Sequence, residues 1–186
     1  MSRLTFVTRN KGKFQEALGV LGPLGYDLVQ DARGYPELQA ETLEEVARAG
    51  VEHLRAAGGP APPFFLEDAG LFVDALGGFP GVYSAYVYKT IGNQGLLRLL
   101  EGRPRTARFE AVLAYHDGES TRLFRGACPG RIVEQERGTG GFGFDPIFVP
   151  EGEGRTFGEM DLAEKERVSH RARALDALAA ALRPRT

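Results

Sequence analysis

The chain of 186 residues has a single cysteine, Cys128. One thiol cannot build an intramolecular disulfide framework or a Cys-rich metal site, and with no obvious His or Asp partner nearby it reads as structural. No apolar run approaches the length of a membrane span, and the N-terminus has no signal-peptide pattern. A soluble, cytoplasmic protein with no membrane partner is expected. Net charge is also scarce: 23 Lys and Arg face 25 Asp and Glu, for a formal −2. That balance gives no global attraction to nucleic acid, so none is expected as a partner and any basic site has to be local. Repeats, low-complexity tracts and clean linkers are missing too. The length fits one domain over residues 1–186, with two lobes. Its 42% apolar content is enough for a sizeable core.

What is present begins with the loop Thr8-Arg9-Asn10-Lys11-Gly12-Lys13. It follows an apolar strand, Leu4-Thr5-Phe6-Val7, and precedes a helix whose Phe14, Ala17, Leu18 and Leu21 share one face. A hydroxyl, an amide and cations therefore crowd a turn at a helix N-terminus, where free N–H groups and the helix dipole favour an anion, most naturally phosphate. The spacing is not that of a Walker A loop.

Tyr26-Asp27-Leu28-Val29-Gln30 reads as a short strand. Thr42 and Glu45 form a capping box for a second helix with Leu43, Val46, Ala47, Val51 and Leu54 inward. Phe64-Phe65-Leu66 is a short buried strand ended by Glu67-Asp68-Ala69-Gly70, and 71–76 suits either a helical turn or a strand. The order β-α-β-α-β favours an α/β sheet. Further on, Leu96, Leu97 and Leu100 mark a helix. Arg108 to His116 and Thr121 to Arg125 form a hairpin around Asp117-Gly118. Arg131 to Glu134 reads as a third antiparallel strand, and Ile147-Phe148-Val149 as another. Asp161 and Glu164 cap a short helix. Ser169 caps a last one that carries Leu175, Leu178, Ala179 and Leu182 inward and ends at Pro184. His53 and His116 read as surface residues.

Four features point to chemistry. Asp68 closes a buried strand at the edge where α/β sheets collect ligands, and it suits a Mg²⁺ ligand or a general base as well as a loop acid capping the next turn. Glu37, in Tyr35-Pro36-Glu37, reads by itself as a solvated charge. In Gly140-Gly141-Phe142-Gly143-Phe144-Asp145-Pro146 the glycines allow close backbone approach, the aromatics suit stacking on a planar base, and Asp145 is an acceptor for a ring N–H. Lys165, with Ser169-His170-Arg171, supplies donors for an oxygen-rich ligand, or else belongs to an exposed helix junction. Together the four suit a metal-dependent enzyme acting on a nucleoside polyphosphate.

These motifs resemble the inosine triphosphatase family of house-cleaning pyrophosphatases almost end to end. The shared segments are Thr8-x-Asn10-x-x-Lys13 with Glu16, then Tyr35-Pro36-Glu37-Leu38-Gln39-Ala40 and Glu67-Asp68-Ala69-Gly70-Leu71. Gly77-Gly78-Phe79-Pro80-Gly81-Val82-Tyr83-Ser84 follows, and Gly140 to Phe148, Glu164-Lys165 and Ser169-His170-Arg171 complete the set. The Tyr-Pro-Glu segment and the length are most similar to archaeal-type members.

The resemblance implies an α/β fold: a long, twisted mixed sheet flanked by helices, in two lobes with a central cleft. It implies a Mg²⁺-dependent homodimer that hydrolyses non-standard purine nucleoside triphosphates (ITP, dITP, XTP) to monophosphate and pyrophosphate. By motif, Thr8, Asn10 and Lys13 hold the triphosphate. Glu37 and Asp68 bind Mg²⁺, with Asp68 also the base. Phe142, Gly143, Phe144 and Asp145 embrace the purine, and Lys165, His170 and Arg171 complete its pocket. Two positions depart from the family: Arg9, commonly Gly or Ser, and Ala69, commonly Ser. The rival readings are a pyrophosphatase for modified pyrimidine nucleotides and a catalytically silent nucleotide-binding protein. The aromatic segment from Phe79 to Tyr88 is the expected dimer face, being too apolar for an exposed loop.

Overall fold

The protein is described by a computed structural model, which covers residues 2–36 and 38–182. Glu37 and Pro184, both singled out above, lie outside the described residues. Strand β1 (Ser2–Val7) leads into α1 (Lys11–Leu21), β2 (Tyr26–Asp31), α2 (Leu43–Ala56) and β3 (Phe64–Val73). Helices α3 (Ser84–Thr90) and α4 (Gly92–Leu99) precede a long hairpin, β4 (Thr106–His116) and β5 (Thr121–Ile132). Strand β6 (Phe148–Pro150), α5 (Leu162–Val168) and α6 (His170–Leu182) complete the chain.

The strands form one six-stranded mixed sheet in the order β2-β1-β3-β4-β5-β6. Strand β1 pairs in parallel with β2 and β3, and the remaining pairings are antiparallel. The parallel pairing of β1 with β3 stops at Val7 opposite Leu66, whereas β3 continues along β4 to Val73. Strand β1 therefore leaves the sheet just where Glu67 and Asp68 begin, and a cleft opens over β3.

Apolar side chains fill three clusters around this sheet. Side chains alternate across a strand, so Phe65 joins α1 and α6 on one face while Phe64 and Leu66 meet α2 on the other. The third cluster occupies the far half, where Leu71 and Val73 pack with α3, α4, Phe109, Phe148 and Phe157. Between the near and far clusters lie residues 67–70 of β3. Among the described residues no helix is long and apolar enough to cross a membrane.

Several expectations need correcting. The strand at 64–66 does not end at Glu67 but runs ten residues, with a 3-10 turn only at Asp74–Leu76. The two strands expected at 121–125 and 131–134 are one, β5, which passes straight through Pro129. Residues 145–147 form a 3-10 turn, and β6 starts at Phe148. His116 is buried, tilted against Phe64 and hydrogen-bonded through Nδ1 to the Thr121 hydroxyl at 3.1 Å. The inward face of α1 is rotated: Leu18 is 37% exposed, and Glu16 is buried beside Ala17 and Leu21.

Candidate active site

The turn after β1 is built by its own side chains. The Thr8 hydroxyl accepts from Asn10 N at 3.1 Å, and Asn10 Oδ1 caps α1 by accepting from Lys13 N at 3.0 Å. Lys11 and Lys13 occupy the first helical turn, which holds no acid. Cations at the positive end of a helix are locally unfavourable, and a bound anion relieves the conflict.

This turn meets the exposed middle of β3. Glu67 and Asp68 are neighbours with carboxylates on opposite faces of the strand. Glu67 points with Phe65 towards α1 and α6, fully buried, and receives Arg171 Nε at 2.8 Å and Nη2 at 2.8 Å. Lys13 Nζ lies 3.4 Å from the same carboxylate. Asp68 is half-buried and faces a cavity of about 250 Å³ with Thr8, Arg9, Asn10, Lys13 and Tyr35.

A second cavity, about 290 Å³, adjoins the first and is walled by Tyr88, Phe109, Phe142, Phe144 and His170. Asn10, Lys13, Ala69 and Ala85 line both. The cleft is thus a polar compartment joined to an aromatic one. Its aromatic wall is braced from behind. Phe142 fits over Gly12, where a Cβ would lie 2.7 Å from the ring. Tyr88 meets Phe144 edge-on at 5.5 Å, and His170 stacks on Phe109 at 4.7 Å. Asn93 Nδ2 donates to Gly143 O at 3.4 Å.

Behind this wall runs a buried chain of alternating charge: Asp145, Lys165, Glu16, Arg171, Glu67 and Lys13. Lys165 Nζ reaches Asp145 at 2.7 Å and Glu16 at 2.8 Å, and Arg171 Nη1 reaches Glu16 at 2.5 Å. Asp145 also accepts from Phe142 N at 2.8 Å, so this chain fixes the aromatic loop. Burial pushes the Glu16 and Glu67 carboxyls up, but Arg171, aided by Lys165 or Lys13, outweighs it and holds both below the usual range. For Asp145 burial wins over Lys165, and its pKa is raised. Burial, then the nearby cations Arg171, Lys165 and Lys13, keep His170 neutral, far below its ordinary pKa. Its Nδ1 is buried with no hydrogen-bond partner.

Of the residues expected at the site, Thr8, Asn10, Lys13, Asp68, Phe142, Gly143, Phe144, Asp145, His170 and Arg171 line the joined cavities. Lys165 does not; it sits behind Phe142, 4.8 Å from the ring centroid. The junction around Lys165, Ser169 and His170 is buried and not exposed. Ser169 does cap α6, accepting from Ala172 N at 3.1 Å. Glu16 and Glu67 carry more of the site than sequence reasoning assigned them; the available signal was a carboxylate at a helix or strand position flanked by core residues. Tyr88, Phe109 and Asn93 gave no such signal.

Fold and cleft together define an α/β protein with an aromatic cavity and a polar, cation-lined one side by side over a broken strand pairing. More narrowly, the chain belongs to the Ham1 family, whose model matches residues 4–181. It is 58% identical over 176 residues to a dITP/XTP pyrophosphatase of Thermococcus kodakarensis, covering 93% of each chain. Identity to the dITP/XTP pyrophosphatase of Pyrococcus horikoshii is 48% over 177 residues, 94% of each. Among solved structures, a HAM1 protein from Coxiella burnetii superposes with a TM-score of 0.83 at 28% identity, covering 98% of both chains.

Proposed function

We propose that this protein is a nucleoside triphosphate pyrophosphatase, a hydrolase that converts ITP, dITP and XTP to their monophosphates and pyrophosphate. The observation that carries this reading is the wall shared by the two cavities, Asn10, Lys13, Ala69 and Ala85, which joins an aromatic cavity to one lined by Arg9, Lys13 and Arg33. The dITP/XTP pyrophosphatases that it matches over nine-tenths of their length support it.

In this scheme the purine lies between Phe142, Phe144 and Tyr88, and the tail crosses Asn10 and Lys13 towards Thr8. Water attacks the α-phosphorus and passes its proton to Asp68. The bond from that phosphorus to the bridging oxygen breaks, and its electron pair leaves with pyrophosphate. Among the described residues no group of three or more His, Cys, Asp or Glu could hold a metal ion. Mg²⁺ does not need one, since it usually takes one or two carboxylates, phosphate oxygens and waters. Asp68, a carboxylate on the wall of the polar cavity beside Thr8, Asn10 and Lys13, fits that donor set. Glu37 is the second ligand that the family resemblance supplies. When bound, the ion offsets charge developing on the phosphate oxygens.

Choice of base rests on the 6-position. The N–H groups of Arg171 not bound to Glu16 or Glu67, and the one protonated ring nitrogen of neutral His170, are donors that suit a 6-oxo group. A 6-amino group leaves such a donor unpaired at about 1–3 kcal/mol per bond. Product analysis with ITP and Mg²⁺ tests the reaction: IMP with pyrophosphate is expected, and IDP with phosphate rejects it. Relative rates on ITP, XTP, dUTP and ATP test the base, and a preference for dUTP would move the substrate class to pyrimidines. Phe79, Tyr83, Tyr86 and Tyr88 of the segment from Phe79 to Tyr88 are exposed and suit a homodimer face. Light scattering showing a monomer would remove that part.

A further inference from the structure

We infer that Arg9 grips the terminal phosphates of the substrate, and hence the pyrophosphate that leaves. The inference rests on the proposed function and deepens it at one residue.

Position is the first argument. Tyr88, Phe142 and His170 line only the aromatic cavity, Asn10 and Lys13 line both, and Arg9, Arg33 and Gly34 line only the polar one. A nucleotide whose base fills the aromatic slot therefore lays its α-phosphate along the shared wall. Its β- and γ-phosphates extend to Arg9 and Arg33.

Charge is the second. Three cations line the polar cavity: Arg9, Lys13 and Arg33. Lys13 faces Glu67, and Arg33 is tied to Asp31 Oδ2 at 2.7 Å and to Gly58 O at 3.1 Å. Arg9 alone has no ion-pair partner among the described residues. Its one fixed bond is from Nε to Ala32 O at 3.1 Å, which leaves the Nη1/Nη2 fork unengaged. A planar fork of two nitrogens suits two oxygens of a phosphate, and a point ammonium does not reproduce it.

Shape is the third. The guanidinium lies across Gly34, where an added Cβ would sit 2.6 Å from Nη2 and 2.7 Å from Cζ. The Ala32 carbonyl and the bare glycine together hold the side chain at the cavity rim. A cation there stabilises the charge that builds on the departing pyrophosphate.

The test titrates inorganic pyrophosphate and, separately, IMP into the wild-type protein and the Arg9→Gly and Arg9→Gln variants, by calorimetry with Mg²⁺ present. Glycine is a residue commonly found here in the family, and glutamine keeps the stem without the charge. Expected is pyrophosphate binding weakened about tenfold in both variants, equivalent to about 1.4 kcal/mol, with IMP affinity unchanged. Arg9→Lys is expected to fall in between. Undiminished pyrophosphate affinity in either neutral variant overturns the inference, as does an equal loss for IMP. A wild-type protein that releases no pyrophosphate from ITP counts against the proposed function and leaves this titration readable.

Discussion

Lys165 Nζ lies 2.8 Å from Glu16 Oε1 across 149 residues of sequence, with both side chains buried. The pair ties α5 to α1, and through Asp145 it ties both to the aromatic loop. Breaking a buried pair leaves the remaining charges without compensation, at about 3–5 kcal/mol. Lys165→Met strands Asp145, leaves Glu16 with Arg171 alone, and is expected to lower the unfolding free energy by roughly 3 kcal/mol. For a chain of this length that is a fall of about 6–12 °C in Tm. Urea denaturation checks it, and a change below about 0.5 kcal/mol would show that the chain of charges is not structural.

The same network sets a pH dependence. His170 is held neutral, with its pKa far below 6.5. The unfolded chain therefore takes up a proton first as pH falls, and stability begins to decline below about pH 6.5, by at most about 1.4 kcal/mol per unit for one proton. Glu16 and Glu67 have lowered pKa values, so their contribution is complete above about pH 4.5 and is lost below it. Asp145 has the opposite sign, because its raised pKa makes protonation favour the folded state and softens that acid loss. Melting curves from pH 8 to 4 are expected to fall in two stages. The first stage should vanish in His170→Gln; its persistence would assign it to another group.

Local order was legible in the sequence, and long-range charge was not. The capping boxes at Thr42 with Glu45 and at Asp161 with Glu164 form as their spacing requires, since each is closed within one turn. The turn from Thr8 to Lys13 also closes through adjacent residues. Glu16 and Arg171 stand 155 residues apart, and nothing periodic links them. The apolar count on α1 favoured Leu18 over Glu16 because the partners that make a buried glutamate tolerable lie at the other end of the chain. His116 misled for a similar reason: a hairpin end reads as surface until Phe64 is seen packed on it. Strand β3 looked shorter than it is because Glu67 and Asp68 interrupt an apolar run, although the ladder to β4 passes through both without a break.

Ser84 ties one wall of the cleft to the sheet. Its hydroxyl donates to Gly81 O at 2.7 Å and accepts from Leu71 N at 2.8 Å, holding the start of α3 against β3. Gly70 lies beneath, with no room for a Cβ against Gly81 O. Ser84→Ala leaves a buried N–H unpaired, at about 1–3 kcal/mol. It is expected to destabilise the fold by that amount and to raise KM for ITP through Ala85 and Tyr88, which line the cavity from α3. Chemical denaturation together with steady-state kinetics separates the two effects. An unchanged KM would mean that α3 holds the pocket without this link.

Asp68 carries the sharpest test, because its neighbour offers an internal control. Both are acids of β3, yet Glu67 is buried in the charge network and Asp68 faces the polar cavity. Asp68→Asn keeps the shape and removes the proton acceptor, so kcat on ITP is expected to drop by about 10²–10⁴-fold, the usual contribution of a general base. Tm should change little. Glu67→Gln is expected to behave in reverse: it removes the counter-charge of Arg171 and lowers Tm by several degrees, as loss of a buried partner does. Its kcat, measured on the folded fraction, is expected to fall far less than that of Asp68→Asn. If Asp68→Asn turned over ITP at the wild-type rate, the base assignment would fail whatever the fold. If both variants lost only stability, the cleft would be a binding site without a catalytic carboxylate in this strand.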